Sequence, residues 1–533
     1  DALQAFIPGK ANRNWKACGA VMGAFSLEEI LTTSRIENNG KKAIPLAITE
    51  IPSANRSEKK FVDLQHDVTV KDIKVAHIEG FRSVEHLKRY TTLGMAADQG
   101  KTSNMNALAI MAELRGISIP EAGTTRFRAP YKPVALGTLA GRNIGNHYKA
   151  KRVTPMHDWH IDHGAEMIEA GIWYRPRVYK KPGETLEEAY VREATAVRNS
   201  VGIVDVTSLG KIDVQGPDAA EFLNRVYANP FLKVPVGKAR YGVMLREDGY
   251  LFDDGTSWRL SENQFLMTTT TANAASVLSE LERLLTLVWP NLKVHVSSVT
   301  DQWAGMAVAG PKSRDVLVKI IDDIDFSEKG LPHMAIADGR IGKIPVKVAR
   351  LSFSGERAYE IYTGTSHGEA VWKAVIEAGK SYDIVPYGTE ALGTLRIEKG
   401  HISGPELDGR TTMNDLGLGK MASENKQYIG SVLSKRDGLV ATNRKKMVGL
   451  ISKDQKPLKA GSHVMDNEKN VGHITSTTFS PAMKKYIALA LIDCDDSMIN
   501  RELIAAYPLN KEQNNVLVVD PHFYDKEGDK LYA

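Results

Sequence analysis

The sequence predicts an α+β protein: two related subdomains facing one another, a small β-barrel after them, and a small helical module ahead of them. Three observations predict it. A strand, a Gly-Pro turn and a helix occur twice, at Val214-Gln215-Gly216-Pro217 before Phe222 and Leu223, and at Val308-Ala309-Gly310-Pro311 before Val316 and Leu317. Proline suits such a helix start, where its missing N–H costs nothing. Beyond about Lys426, short apolar runs separated by turn residues have small-barrel spacing: Met447–Ile451, Gly461–Val464, Val471–Ser476 and Ile487–Ala490. Between residues 68 and 90, two helical stretches follow good N-cap residues, Thr69 with Asp72 three positions on, and Ser83.

Composition narrows the function. A chain of 533 residues holds several domains, and 42% hydrophobic with 25% charged residues is an ordinary globular balance. A net charge of +5 is modest for this length; it argues against a nucleic-acid partner and suits small anionic ligands. The two cysteines, Cys18 and Cys494, exclude a disulfide framework and a four-thiolate metal site, and fit the reducing cytoplasm. The longest apolar run, about Ile487 to Ile492, is far short of the ~18 residues a membrane span needs, so no membrane partner is expected. The chain begins with Asp1, which reads as processing or as a piece of something longer.

In chain order, residues 1 to 55 hold a Gly-rich turn and a helix from Ser26, and no G-x-G-x-x-G phosphate loop occurs there. Residues 117 to 150 carry prolines and glycines and read as a boundary, with Arg126, Arg128 and Lys132 solvated. His157, His160 and His163 recur every third residue, but no carboxylate triad accompanies them and Gly164 breaks the helix that would align them, so no metal is expected. A helix spans about Thr185 to Asn199, followed by a buried strand from Val201.

Arg240 to Leu260 reads as a hairpin turning at Glu247-Asp248-Gly249, because Asp-Gly between alternating strands favours that turn. Two readings stay open for Asp253 and Asp254, a solvated turn or two working acids among Leu251, Phe252 and Trp258. Gln264 to Thr271 ends a strand in four threonines; β propensity explains them as well as a hydroxyl-lined pocket does. From Val346 the pattern alternates to Phe353, turns at Ser354-Gly355-Glu356, and resumes with Glu360 between Tyr359 and Ile361. Glu360 is either a surface residue of an edge strand or an inward carboxylate that needs a pair of donors.

These stretches carry a resemblance. Tyr241-x-x-Met244-Leu245-x-Glu247-x-Gly249-x-x-x-Asp253-Asp254 resembles the folate-site hairpin of the glycine-cleavage T-protein (aminomethyltransferase) family. The resemblance implies that Asp254 faces the reacting nitrogens of tetrahydrofolate, with Tyr241 and Thr270 on the same site. Phe353-Ser354-Gly355-Glu356-Arg357-Ala358-Tyr359-Glu360 is similar to the family's Y-T-G-E-x-G-x-E; it implies that Glu360 binds the pterin, and that Phe353 contacts it without a hydroxyl. The segments at 154–164, 201–209, 389–400 and 472–481 resemble further family signatures, with two departures. Thr207-Ser208-Leu209 replaces Ser-His-Met, and Leu392 replaces a substrate-binding arginine, although Arg396, Glu398 and Gly400 match.

Residues 55 to 130 resemble the alpha subunit of heterotetrameric sarcosine oxidase, Asp98-Gln99-Gly100-Lys101 most distinctively. The layout is also similar to two-iron ferredoxin-like modules, but Asp63, Gln65, Asp98 and Ser103 stand where cysteines would, so iron ligation is excluded. The resemblance implies four domains: 1–55, a remnant of a preceding nucleotide-binding domain; 56–130, a cluster-free helical module; 131–425, a folate-binding domain; and 426–533, a barrel. It implies a partner flavoprotein beta subunit, small gamma and delta subunits, and a flavin (FMN) at the interface approached by Lys101. The implied reaction passes the one-carbon unit of oxidised sarcosine to tetrahydrofolate. The alternatives are a free-standing folate-dependent aminomethyltransferase or demethylase, and a non-catalytic folate binder.

Overall fold

A computed structural model of the chain describes residues 22, 24, 26, 28–30, 59–129, 131–139, 150–493 and 498–532. Most of the expected 1–55 remnant, with Cys18 and Cys494, lies outside the described residues. The chain divides into two compact units, Asp1–Lys149 and Ala150–Ala533.

In the first unit, β1 (Phe61–Asp63) pairs antiparallel with β2 (Val68–Thr69). Helices α1 (Val70–Ile78), α2 (Val84–Thr91) and α3 (Asn104–Arg115) follow. Thr69 and Asp72 form the expected capping box, Thr69 N donating to Asp72 Oδ2 at 2.8 Å, so two orphan donors at the start of α1 are satisfied. The helices bury Ile73, Ala76, Leu87, Leu108 and Met111 together. Asp63, at one position where the resemblance would put a cysteine, accepts from Gly94 N at 2.8 Å and Ser103 Oγ at 3.4 Å. A carboxylate thus ties β1 to the loop ahead of α3.

The second unit opens with α4 (His157–Asp162), the hairpin β3 (Ala165–Ala170) and β4 (Trp173–Tyr179), and α5 (Leu186–Asn199). One antiparallel sheet has five strands in the order β10-β6-β9-β8-β7: β6 (Gly210–Gln215), β7 (Lys238–Leu245), β8 (Leu251–Ser261), β9 (Gln264–Thr269) and β10 (His295–Ser298). The second has six, β12-β13-β14-β11-β5-β15: β5 (Gly202–Asp205), β11 (Trp303–Ala309), β12 (Ile336–Ile341), β13 (Ile344–Ala349), β14 (Ala358–Gly364) and β15 (Val385–Pro386), the last parallel to β5.

The repeated Gly-Pro unit occurs once in each sheet. β6 leads through Gly216-Pro217 to α6 (Ala219–Val226), and β11 through Gly310-Pro311 to α8 (Ser313–Leu317); α7 (Ala274–Arg283) lies between them in sequence. Both glycines have positive φ, 140° and 125°, and a Cβ on either would meet a carbonyl oxygen, Lys293 O at 2.0 Å or Ser200 O at 2.4 Å. Only glycine fits such a turn. Each proline stands one residue before the N-cap (Asp218, Lys312) rather than inside the helix.

Strand parity sorts the side chains. Ile203, Met306, Tyr359 and Ile361 point to a core with α8 and α9 (Gly368–Gly379). Ile212, Val214 and Phe265 point to one with α6 and α7. A third core lies where the sheets face each other, joining Val204, Val206 and Tyr362 to Trp258 and Leu266. This inter-sheet layer carries the candidate site.

One expectation is corrected: the strand expected to run to Phe353 ends at Ala349. Arg350 and Arg357 leave the ladder to bind the same carboxylate, Glu328, at 2.6 and 2.8 Å, which pulls residues 350–357 into a loop. Helix α10 (Thr389–Lys399) ends at Gly400, whose φ of 75° terminates it. The barrel closes in the order β16-β19-β18-β17-β20-β21: β16 (Lys445–Ser452), β17 (His463–Asp466), β18 (Lys469–Ser480), β19 (Lys485–Asp493), β20 (Glu502–Tyr507) and β21 (Glu512–Val519). Among the described residues no helix is long and apolar enough to cross a membrane.

Candidate functional site

The β7–β8 hairpin turns where its Asp-Gly pair predicts, with Gly249 at φ 91° and Arg246 N donating to Tyr250 O at 2.8 Å. Its register sets Val243 opposite Asp254 and Tyr241 opposite Thr256. The Tyr241 hydroxyl then reaches back to donate to Asp254 Oδ2 at 2.8 Å. Asp253 points to the other face, is buried, and accepts from Thr270 N at 3.2 Å. Burial, and then the neighbouring Asp253 charge, push the Asp254 carboxyl up to about 7, with the Tyr241 hydroxyl drawing it partly back. Burial raises Asp253 as well.

With a period of two, Asp254, Thr256 and Trp258 share one face of β8. Thr256 Oγ1 lies 3.0 Å from Thr268 Oγ1 and accepts from Trp258 Nε1 at 3.0 Å, which fixes the indole. The indole stacks on Tyr362 of the opposite sheet, ring centroids 4.6 Å apart. Two residues before Tyr362 on the same face of β14 is Glu360. At about 3.4 Å per residue, Asp254 lies roughly 14 Å along its strand from the stack and Glu360 about 7 Å along its own.

Glu360 Oε2 and Tyr362 Oη are buried atoms that meet no hydrogen-bond partner among the described residues. Burial pushes the Glu360 carboxyl up to about 7; the nearby Tyr362 hydroxyl and then the Lys211 ammonium oppose the rise. Lys211, on β6, is fully buried, and its Nζ donates to Thr207 O at 2.5 Å and Leu209 O at 2.9 Å. Arg175, on β4, donates to Asp205 O at 3.3 Å and leaves its Nε unpartnered. Two acids poised near neutrality thus sit on strands that an aromatic stack joins, one held by a tyrosine and one with an open acceptor. Such an arrangement can grip a flat heterocycle by its N–H edge and steady a cation near the other carboxylate.

The structure brings Asp254, Tyr241 and Thr270 together, Thr270 through Asp253, and seats Glu360 across the inter-sheet layer. Phe353 does not join them: it is 40% exposed on the loop after β13, beside His401 at 5.8 Å. Lys101 belongs to the first unit, where its Nζ donates to Asp98 O at 3.1 Å and Tyr131 O at 2.5 Å and lies 3.6 Å from the Tyr131 ring centre. Two of the three ammonium donors are so used, and the side chain is exposed. His160 is bound by Asp205 at 3.1 Å and Tyr179 at 2.8 Å, and His163 by Trp159 O at 2.7 Å. Among the described residues no three His, Cys, Asp or Glu side chains converge to hold a metal.

Sequence reasoning passed over Lys211, Tyr362, Arg175 and the stacking role of Trp258. Alternation along β14 could have found Tyr362, two residues from Glu360; nothing local marks Lys211. It also missed that Glu356 and Glu398, inside the matched motifs, bind Arg198 at 2.9 and 2.7 Å. Arg396 likewise binds Glu406 at 2.8 Å.

Known proteins resemble the chain in three pieces. The GCVT N-terminal domain family matches residues 156–426, the sarcosine oxidase A3 domain residues 57–142, and the glycine cleavage T-protein C-terminal barrel domain residues 445–525. The sarcosine oxidase subunit alpha of Rhizobium meliloti (strain 1021) is 44% identical over 510 residues, 94% of this chain and 51% of that protein. An aminomethyltransferase of Thermotoga neapolitana is 31% identical over 343 residues, 64% of this chain and 89% of its own length. The glycine cleavage system aminomethyltransferase T from Bartonella henselae superposes with a TM-score of 0.62 at 22% identity, over 71% of this chain and 99% of that one, a likeness of fold. The chain spans about half the length of the sarcosine oxidase alpha relative.

Proposed function

The chain belongs to the aminomethyltransferase family of glycine-cleavage T-proteins, and from that premise we propose that it is the folate-binding part of a sarcosine oxidase alpha subunit. Its match to the sarcosine oxidase A3 domain favours this over a free-standing aminomethyltransferase. The proposed reaction takes the imine left when a partner flavoprotein subunit withdraws a hydride from the N-methyl group of sarcosine. A tetrahydrofolate nitrogen attacks the imine carbon, the second folate nitrogen closes the ring, and the C–N bond to glycine breaks, giving 5,10-methylenetetrahydrofolate and glycine.

The observation that carries the reading is the pair of acids on facing sheets. Glu360, with Oε2 unpartnered, takes the ring N–H and amino group of the pterin as a bidentate acceptor. The fully buried Trp258–Tyr362 stack joins the two sheets beside the strand that presents Glu360. Asp254, aimed by Tyr241, steadies the iminium charge and exchanges a proton with the reacting nitrogens, for which a pKa of about 7 is well placed. Thr270 holds Asp253 and so shapes Asp254 indirectly. Oxidation is assigned to the partner, and exposed Lys101 in the first unit would offer its remaining ammonium donor to an anionic flavin group.

Replacing Asp254 by Asn keeps the side chain's size and removes its charge. The expected result is tetrahydrofolate affinity within a few-fold of wild type and methylene transfer slowed by about 10²–10³. Transfer at the wild-type rate sinks the role of Asp254. Co-purification with a flavin-bearing subunit tests the assembly; a chain that isolates alone and transfers from a free aminomethyl donor supports the free-standing enzyme instead.

A further inference from the structure

We infer that residues 520–532 form a strap that positions Glu360 by fastening the loop ahead of it. The inference rests on the folate reading above and concerns what holds the pterin-binding carboxylate in place. The ladder between β13 and β14 ends at the pair Ala349–Glu360. Beyond that pair, Ala358 and Tyr359 lie opposite Ala309 and Val308 of β11, while residues 350–357 leave the sheet as a loop. Glu360 is thus the end residue of β14 with a strand on each flank, and its place follows that of the loop. A free loop would have to be ordered again each time a ligand bound, at a cost in conformational entropy.

Arg350, Arg357, Arg198 and Lys399 join that loop to the strap. Arg350, at the loop's start, donates to Leu531 O at 2.9 Å, and Arg357, at its end, donates to Tyr532 O at 2.7 Å. Both guanidiniums are buried, and neither Nε meets a partner among the described residues. The Glu328 carboxylate, the Leu331 carbonyl and the two strap carbonyls therefore satisfy the pair. Charge-assisted bonds to buried donors are strong, and losing one leaves a costly orphan. Arg198 grips the middle of the loop, Ser354 O at 2.8 Å and Glu356 at 2.9 Å, and the Tyr524 ring centre lies 4.1 Å from its guanidinium. Lys399 donates to Asp525 O and, at 3.2 Å, to the Asp525 carboxylate. Its stem lies so close beneath Gly355 that a Cβ there would meet Cδ at 2.8 Å. The strap is itself anchored at its root, where Phe523 N and Tyr524 N both donate to Glu398 O at 2.9 Å and Phe523 packs on Ile397, Ile487 and Leu489. Start, middle and end of the loop are thus held from one segment that leaves the barrel after β21.

The measurement is tetrahydrofolate affinity by anaerobic calorimetry, on the 533-residue chain and on the same chain ending at Val519. The shortened chain is expected to melt cooperatively and to bind roughly ten-fold more weakly, the factor that ordering about one loop residue anew would cost. A synthetic peptide of residues 520–533, at the millimolar concentration that covalent attachment supplies, restores the affinity, and a scrambled peptide does not. Should the shortened chain not fold, Tyr524→Leu combined with Asp525→Asn loosens the holds of Arg198 and Lys399 in the 533-residue chain. That variant is expected to bind more weakly by a smaller factor while keeping one cooperative melting transition. Wild-type affinity in the shortened chain, or a loss that the peptide does not recover, overturns the inference. So does wild-type affinity in the double variant where the shortened chain does not fold. Failure of the 533-residue chain to bind tetrahydrofolate overturns the folate reading instead.

Discussion

Two sets of buried carboxylates in the second unit have opposite fates. Glu356 and Glu398 both bind Arg198, which also lies 4.1 Å from the Tyr524 ring centre. Glu398 accepts in addition from Ser480 Oγ at 2.5 Å and Ala482 N at 3.2 Å. Among the described residues Asp254 and Glu360 have no cation in ion-pair contact; the first has one hydrogen bond from a tyrosine and the second an open oxygen. Burial alone therefore does not mark a working acid. What separates the sets is compensation: a structural acid is paired, and a poised one is left for something outside the chain to satisfy.

Breaking the compensated set gives the largest stability change. Arg198→Ala strands two buried carboxylates, and a loss of about 3–5 kcal/mol is expected by denaturant unfolding. The same substitution barely alters the pH at which Asp254 and Glu360 titrate; a large shift there would merge the two sets.

The uncompensated set predicts the opposite sign. Between about pH 4 and 7, both acids hold protons in the folded chain that the unfolded chain has already released, so their contribution to stability falls as pH rises through that window. Asp254→Asn and Glu360→Gln remove the burdened charge. Each is expected to raise stability at pH 8 by about 1–2 kcal/mol and to flatten the slope between pH 5 and 7, read from melting curves. Destabilisation at pH 8 would place these acids with Glu356 and Glu398.

The smallest effect sharpens the boundary of the site. Phe353 matched a family position, yet it is exposed and lies beside His401. Phe353→Ala is expected to change stability by less than about 0.5 kcal/mol and leave tetrahydrofolate affinity unchanged. A ten-fold loss of affinity would bring the 350–357 loop into the site.

Much of the fold was legible because its signals are local. Gly216 and Gly310 announce turns that only glycine can make, and both appear where the repeat put them. Thr69 and Thr185 cap helices with an acid three residues on, and both capping boxes form. The 346–353 strand was overcounted because Arg350 and Arg357 answer to Glu328, 22 and 29 residues upstream, and not to alternation. The last two barrel strands were not read, although the second ends in the apolar, mostly β-branched run Val516–Val519.

By itself the sequence determined where strands turn, where helices start, and which two stretches put an acid among apolar neighbours, since each depends on residues a few positions apart. Tertiary structure decided which acids are neutralised. Arg198 reaches Glu356 and Glu398 from 158 and 200 positions away, while Lys211 comes near Glu360 without pairing with it. Electrostatic compensation is set by separation in space over a few ångströms, and no pattern along the chain encodes it.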